Sequence, residues 1–101
     1  MAALIWSLLA IEDVEEITRF IARDSAAAAS ALVDRLTEAA RQLEEFPLSG
    51  RRLVLPRRHD HFRELIVGNY RLIYTVANGT SRVEILRILH GSRRFDPGSL
   101  P

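Results

Sequence analysis

The chain has 101 residues, 48% hydrophobic and 27% charged, which suits one small globular domain with a modest core and excludes a disordered or membrane-embedded chain. It has no cysteine and all 14 of its positive side chains are arginine, so disulfides, thiol nucleophiles, lysine Schiff bases and lysine-type phosphate loops are closed to it. The net charge of +1 conceals a division: residues 1–50 carry 4 arginines against 9 carboxylates, and residues 51–101 carry 10 against 4. The C-terminal half therefore seeks anions, unless the two halves neutralise each other in the fold.

The opening MAALIWSLLAI is apolar, but it lacks a basic start, is too short to span a bilayer and runs into acidic EDVEE. It predicts a buried strand over residues 2–6, with Trp6 in the core, and gives no reason to expect a membrane or any compartment but the cytoplasm. Next, Ala10, Val14, Ile17 and Ile21 fall at helical spacing, with Glu12, Asp13, Glu15 and Glu16 on the side facing away. Asp24-Ser25 offers a cap for a second helix, whose apolar positions Ala28, Leu32, Leu36, Ala39, Leu43 and Phe46 keep the period until Pro47. Helices joined this closely form an antiparallel hairpin.

FPLSGRRLVLPRRHDH, punctuated by Pro47, Gly50 and Pro56, reads as an irregular, arginine-bearing connection and a candidate binding loop. Within it, His59-Asp60-His61 has the right residue types for a metal but no third ligand at a suitable spacing, so no metal is expected. Strand-like runs follow at 62–67, 70–76 and 82–89, separated by Gly68-Asn69 and by Asn78-Gly79, both hairpin signals. The predicted fold is α+β, in the order β-α-α-β-β-β, with the helical hairpin on one face of a mostly antiparallel four-stranded sheet.

A two-residue loop at Gly68-Asn69 sets Val67 against Tyr70, Leu65 against Leu72 and Arg63 against Tyr74 on one face, and Ile66 against Arg71 and Glu64 against Ile73 on the other. If Ile73 then pairs with Ile85, Arg87 falls opposite Arg71. The face carrying Leu65, Val67, Tyr70, Leu72, Leu86 and Ile88 is the one to bury under the helices. The other becomes a half-open surface on which Arg71, Arg87 and Arg93 cluster. Like charges facing each other across strands repel, so such a cluster calls for a bound anion or a nearby carboxylate, and Glu64 stands diagonal to Arg71. In the stretch HGSRR, His90 can move protons near neutral pH and Arg93 can hold a phosphate. Because no Gly-rich dinucleotide motif, G-x-S-x-G elbow or H-E-x-x-H occurs, no cofactor is expected.

The succession IARDSAAAASALVDRL, LEEFPLSGRR, RELIVGNYRLIYTV and VEILRILHGSRR resembles the RelE/ParE superfamily of toxins from bacterial type II toxin-antitoxin modules, over nearly the whole chain. The resemblance implies a cognate antitoxin with an acidic toxin-binding segment, and contact with operator DNA only through that antitoxin. RelE-like members cut messenger RNA on the ribosome, and Arg71 and Arg93 match the two arginines of that site. Here no lysine is available, Phe95 follows Arg94, and no tyrosine stands near the C-terminus, so His90 would have to act as acid or base. ParE-like members inhibit DNA gyrase by binding, and the helical hairpin and FPLSGRR look closer to that branch. A third reading is a non-toxic module that only binds the antitoxin. Arg63, Arg71, Arg87, His90, Arg93 and Arg94 are the residues expected to meet target or antitoxin.

Overall fold

The computed structural model describes residues 1–55 and 61–100. Strand β1 (Ala3–Trp6) leads into helix α1 (Leu8–Ala22) and helix α2 (Ala26–Glu45), followed by β2 (Arg51–Arg52), β3 (Phe62–Val67), β4 (Tyr70–Ala77) and β5 (Arg82–His90), with a short 3₁₀ turn at Pro97–Ser99. The sheet runs β1-β5-β4-β3-β2, with β1 parallel to β5 and the other neighbours antiparallel. It thus has five strands where four were expected. The addition is β2, where Arg51 and Arg52 of the connecting segment pair with Glu64 and Arg63.

The helices begin where short hydroxyl side chains satisfy otherwise unpaired amides. Ser7 Oγ accepts from Ala10 N at 3.0 Å, and Ser25 Oγ accepts from Ala28 N at 3.0 Å. Leu32, Leu36 and Leu43 of α2 are buried, as their spacing predicts. The stripe is rotated slightly from expectation: Ala29 and Ala40 are buried while Ala28 is exposed, and Phe46 lies past the helix end at 60% exposure. On α1, Asp13 is buried rather than facing away.

The β3–β4 hairpin has the expected register throughout, from Phe62 against Thr75 to Val67 against Tyr70. Gly68 takes a φ of 60°, as the first central position of such a two-residue turn requires. The β4–β5 pairing departs from expectation. Ile73 faces Arg87 and Tyr74 faces Ile85, so Leu86 is an extra residue and Arg71 faces Leu89 rather than Arg87. This bulge turns Leu86 away from the helices.

Both faces of the sheet are therefore covered. Under the helices, Leu32, Leu36, Leu43, Leu72, Tyr74, Val83, Ile85 and Ile88 form the main core, with Trp6, Leu65 and Tyr70 packed against it. On the opposite face, Phe62, Ile73, Leu89 and Phe95 form a second cluster, covered by Leu53, Leu55, Leu86 and Leu100. The expected half-open face is instead partly roofed by the segment before β3 and by the C-terminal tail. Phe95 meets Phe62 edge-on at a centroid distance of 5.2 Å.

Candidate functional site

The expected arginine cluster separates into several places, each with its own physical cause. Beyond Trp6, β1 gives way to α1 and no longer covers the edge of β5. Ser7 and Asp13 take over that edge: Ser7 N donates to Ile85 O at 2.9 Å, and Ile88 N donates to Asp13 Oδ2 at 3.0 Å. Arg87 closes on the same carboxylate in a fork, Nε to Oδ2 at 2.8 Å and Nη2 to Oδ1 at 2.9 Å. Those hydrogen bonds lead in raising the Arg87 pKa, against the opposing effect of burial. Arg87 is therefore a buried structural cation and does not join Arg71.

Arg71 lies on the far face, its side chain 16% exposed, with Nε donating to Glu64 Oε2 at 2.6 Å and Nη1 donating to the carbonyl of Arg93 at 2.9 Å. Glu64, whose side chain is only 2% exposed, also accepts from Arg51 Nε at 3.1 Å and from Arg51 Nη2. Burial alone would push the Glu64 carboxyl up, but the hydrogen bonds and charges of Arg51 and Arg71 outweigh it and hold the pKa below its ordinary value. One carboxylate thus settles two guanidinium groups. Arg51, Arg52, Arg71 and Arg94 border a depression of about 450 Å³ floored by Leu53, Leu55 and Phe95. Arg52 Nη2 also donates to His61 Nδ1 at 2.8 Å, while His59 and Asp60 lie outside the described residues.

Arg63 faces Tyr74 as predicted, but its guanidinium binds chain rather than partner: Nη1 donates to Leu48 O at 3.2 Å and to Gly50 O at 2.8 Å. Tyr74 completes that clasp, its hydroxyl donating to Pro47 O at 2.9 Å and accepting from Gly50 N at 2.8 Å. Burial is the leading cause that pushes the phenol's pKa up, so it remains a donor.

His90 stands on the other side of the sheet from Arg71. It pairs with Tyr70, the neighbouring pair is Arg71 with Leu89, and successive pairs point to opposite faces. The HGSRR stretch is a tight turn: Gly91 N donates to Asn69 O at 2.7 Å, and Arg93 N donates to His90 O at 2.9 Å. His90 Nδ1 accepts from Ser92 N at 3.2 Å and lies 2.7 Å from Ser92 Oγ, so the neutral ring carries its proton on Nε2. With Tyr70 and Arg93, His90 borders a groove of about 430 Å³ against the C-terminal half of α1, where Phe20, Arg19 and Arg23 form the opposite wall. Of the predicted residues, His90 and Arg93 share this groove, and Arg71 and Arg94 share the far-face depression. The contribution of α1 was not anticipated, although Asp13 stands in the stripe Ala10, Asp13, Val14, Ile17 and so could have been read as facing the sheet.

Residues 4–95 match the family model described as "ParE toxin of type II toxin-antitoxin system, parDE". The chain belongs to the ParE toxin family. Two relatives support the assignment: the toxin RelE2 of Caulobacter vibrioides is 36% identical over 94 residues, covering 92% of this chain and 99% of that protein, and Y4kP of Sinorhizobium fredii is 34% identical over 91 residues, covering 89% and 88%. The fold is also that of a solved chromosomal ParDE system from P. aeruginosa (TM-score 0.69, 21% identity, covering 89% of this chain and 96% of that one). A YoeB/ParE toxin from Agrobacterium tumefaciens superposes with a TM-score of 0.59 at 21% identity, covering 89% and 98%. This ParE-family protein is a toxin of a type II toxin-antitoxin system, and an antitoxin is its partner. Among the described residues, no helix is long and apolar enough to cross a membrane.

Proposed function

We propose that this toxin acts in the cytoplasm by binding DNA gyrase and holding it on cleaved DNA, with no chemistry of its own, and that an acidic segment of its antitoxin neutralises it. Contact with operator DNA then runs only through the antitoxin. The observation that carries the reading is the separation of Arg71 from His90 by the sheet. The RelE-like reading needs His90 as proton acceptor or donor and both Arg71 and Arg93 to stabilise charge on one phosphate. Here Arg93 shares a groove with His90, but Arg71 lies on the opposite face and already engages Glu64 and the Arg93 carbonyl, so the three do not converge.

The test pairs two assays on toxin released from its antitoxin. Inhibition of gyrase supercoiling, with induction of the DNA-damage response on expression, is the expected result. Codon-positioned cleavage of translated messages in primer extension, with supercoiling untouched, would overturn the proposal in favour of the ribosome. Harmless expression of folded protein would overturn both.

A further inference from the structure

The groove between α1 and the ends of β4 and β5 has features that a plain protein-binding surface does not require. Phe20 projects from α1 with 67% of its surface exposed, a large aromatic left in water at the rim. Across from it, the Tyr70 and His90 rings meet edge-on, with centroids 5.6 Å apart and planes at 85°. Arg19, Arg23 and Arg93 line the same groove. The acids bordering the groove are Asp13 and Glu16. Asp13 is committed to Arg87, and the charge of Glu16 also acts on Arg87. The remaining wall joins these arginines and rings to the aliphatic Ile17, Ile88 and Leu89, and the space of about 430 Å³ falls in the range of small-ligand sites.

Interleaved rings and guanidinium groups are the means by which proteins hold single-stranded nucleic acid, because every base offers a π-face and every phosphate a charge. An acidic peptide would use the arginines but not the ring faces. A regular duplex would present its phosphates with its bases already stacked on each other. Resting on the gyrase reading, in which the toxin meets DNA at an enzyme-made break, we infer that this groove binds an unpaired nucleotide of a DNA strand, its base stacked on Phe20 or His90 and its phosphate held by Arg19, Arg23 and Arg93.

The experiment measures fluorescence anisotropy of a labelled 12-residue oligothymidine with released toxin. A duplex of equal length and a glutamate-rich peptide serve as competitors. The single strand is expected to bind more tightly than the duplex and to resist displacement by the peptide. Phe20→Ala is expected to weaken binding by about ten-fold or more, and Phe20→Trp to restore it. Arg23→Ala should reduce the slope of log affinity against log salt by about 0.7. Because Phe20 is largely exposed, unchanged melting of Phe20→Ala serves as the fold control. Wild-type affinity in both Phe20→Ala and Arg23→Ala, or peptide binding without oligonucleotide binding, would overturn the inference. Supercoiling inhibition measured on the same preparations separates the two ideas. A toxin that inhibits gyrase but binds no single strand removes the nucleotide site and leaves the gyrase reading standing.

Discussion

Replacing Asp13 by alanine tests whether one carboxylate of α1 closes the sheet edge that β1 leaves uncovered. The substitution removes the acceptor of the Arg87 Nε and Nη2 bonds and of the Ile88 N bond. Arg87, 8% exposed, is then a buried cation left with a 3.5 Å contact to Ser99 Oγ. Breaking a buried pair from one side costs about 3–5 kcal/mol, out of a total stability of about 5–15 kcal/mol for a domain of this size. At roughly 4–8 °C per kcal/mol, the melting temperature should fall by about 12–40 °C. The double variant Asp13→Leu with Arg87→Met removes both charges. It should recover all but about 1–3 kcal/mol, the cost of leaving the Ile88 amide without its acceptor. Urea unfolding of the three proteins, followed by circular dichroism, provides the comparison. A loss below about 1 kcal/mol for Asp13→Ala, or a double variant no more stable than the single one, would refute the account.

The remaining predictions concern the far face and its clasp. Glu64 has a depressed pKa, so its contribution is present above the unfolded pKa and is lost as pH falls through the folded value. The denaturation midpoint of the wild type should therefore drop below about pH 4.5 more steeply than that of Glu64→Gln, and parallel curves would count against the pairing. Gly50→Ala should destabilise by about 1–3 kcal/mol in thermal unfolding, because a Cβ there would stand 2.5 Å from the Tyr74 hydroxyl and 2.7 Å from the Glu64 carbonyl oxygen. Arg71→Ala should cost about 1–3 kcal/mol in urea unfolding by leaving Glu64 under-paired, whereas His90→Gln, whose exposed ring among the described residues hydrogen-bonds to Ser92 of its own turn and meets Tyr70 edge-on, should change stability by less than about 0.5 kcal/mol. Equal melting of Arg71→Ala and wild type would show that Arg71 is not structural.

The helices and the first hairpin were legible because each has a local physical signal. Helical spacing marked Leu32, Leu36 and Leu43, Ser25 supplied the cap, and Gly68-Asn69 fixed a register that holds for every pair from Val67–Tyr70 to Phe62–Thr75. The second hairpin lacked such a signal. In Ile85-Leu86-Arg87-Ile88-Leu89, four of five residues are apolar, so alternation does not say which residue is extra, and the bulge at Leu86 moved Arg87 to the β5 edge. The second core was hidden for a different reason. Leu53, Leu55, Phe95 and Leu100 lie in stretches without period and bury apolar surface only where the segment before β3 and the C-terminal tail cross the sheet. With that roof in place, Arg71 became the partner of Glu64, so the cluster read from the sequence did not form.

The unequal charge of the two halves is not evened out by the ion pairs that form. Among the described residues, Glu38 with Arg41 lies within the first half, Glu64 with Arg51 and Arg71 lies within the second, and Asp13 with Arg87 joins the two. Had the halves been built to neutralise each other, pairs of the last kind would dominate. Instead the second half consumes one of its own carboxylates on two arginines, while Arg93 and Arg94 stand exposed beyond β5. Exposed guanidinium groups without an ion-pair partner among the described residues keep their attraction for outside anions, subject to salt screening. The buried arginines therefore hold the sheet together and the exposed ones set what the surface attracts, so Arg87→Met and Arg94→Ala should differ in kind: the first changes melting, the second changes the salt dependence of binding to an anionic partner.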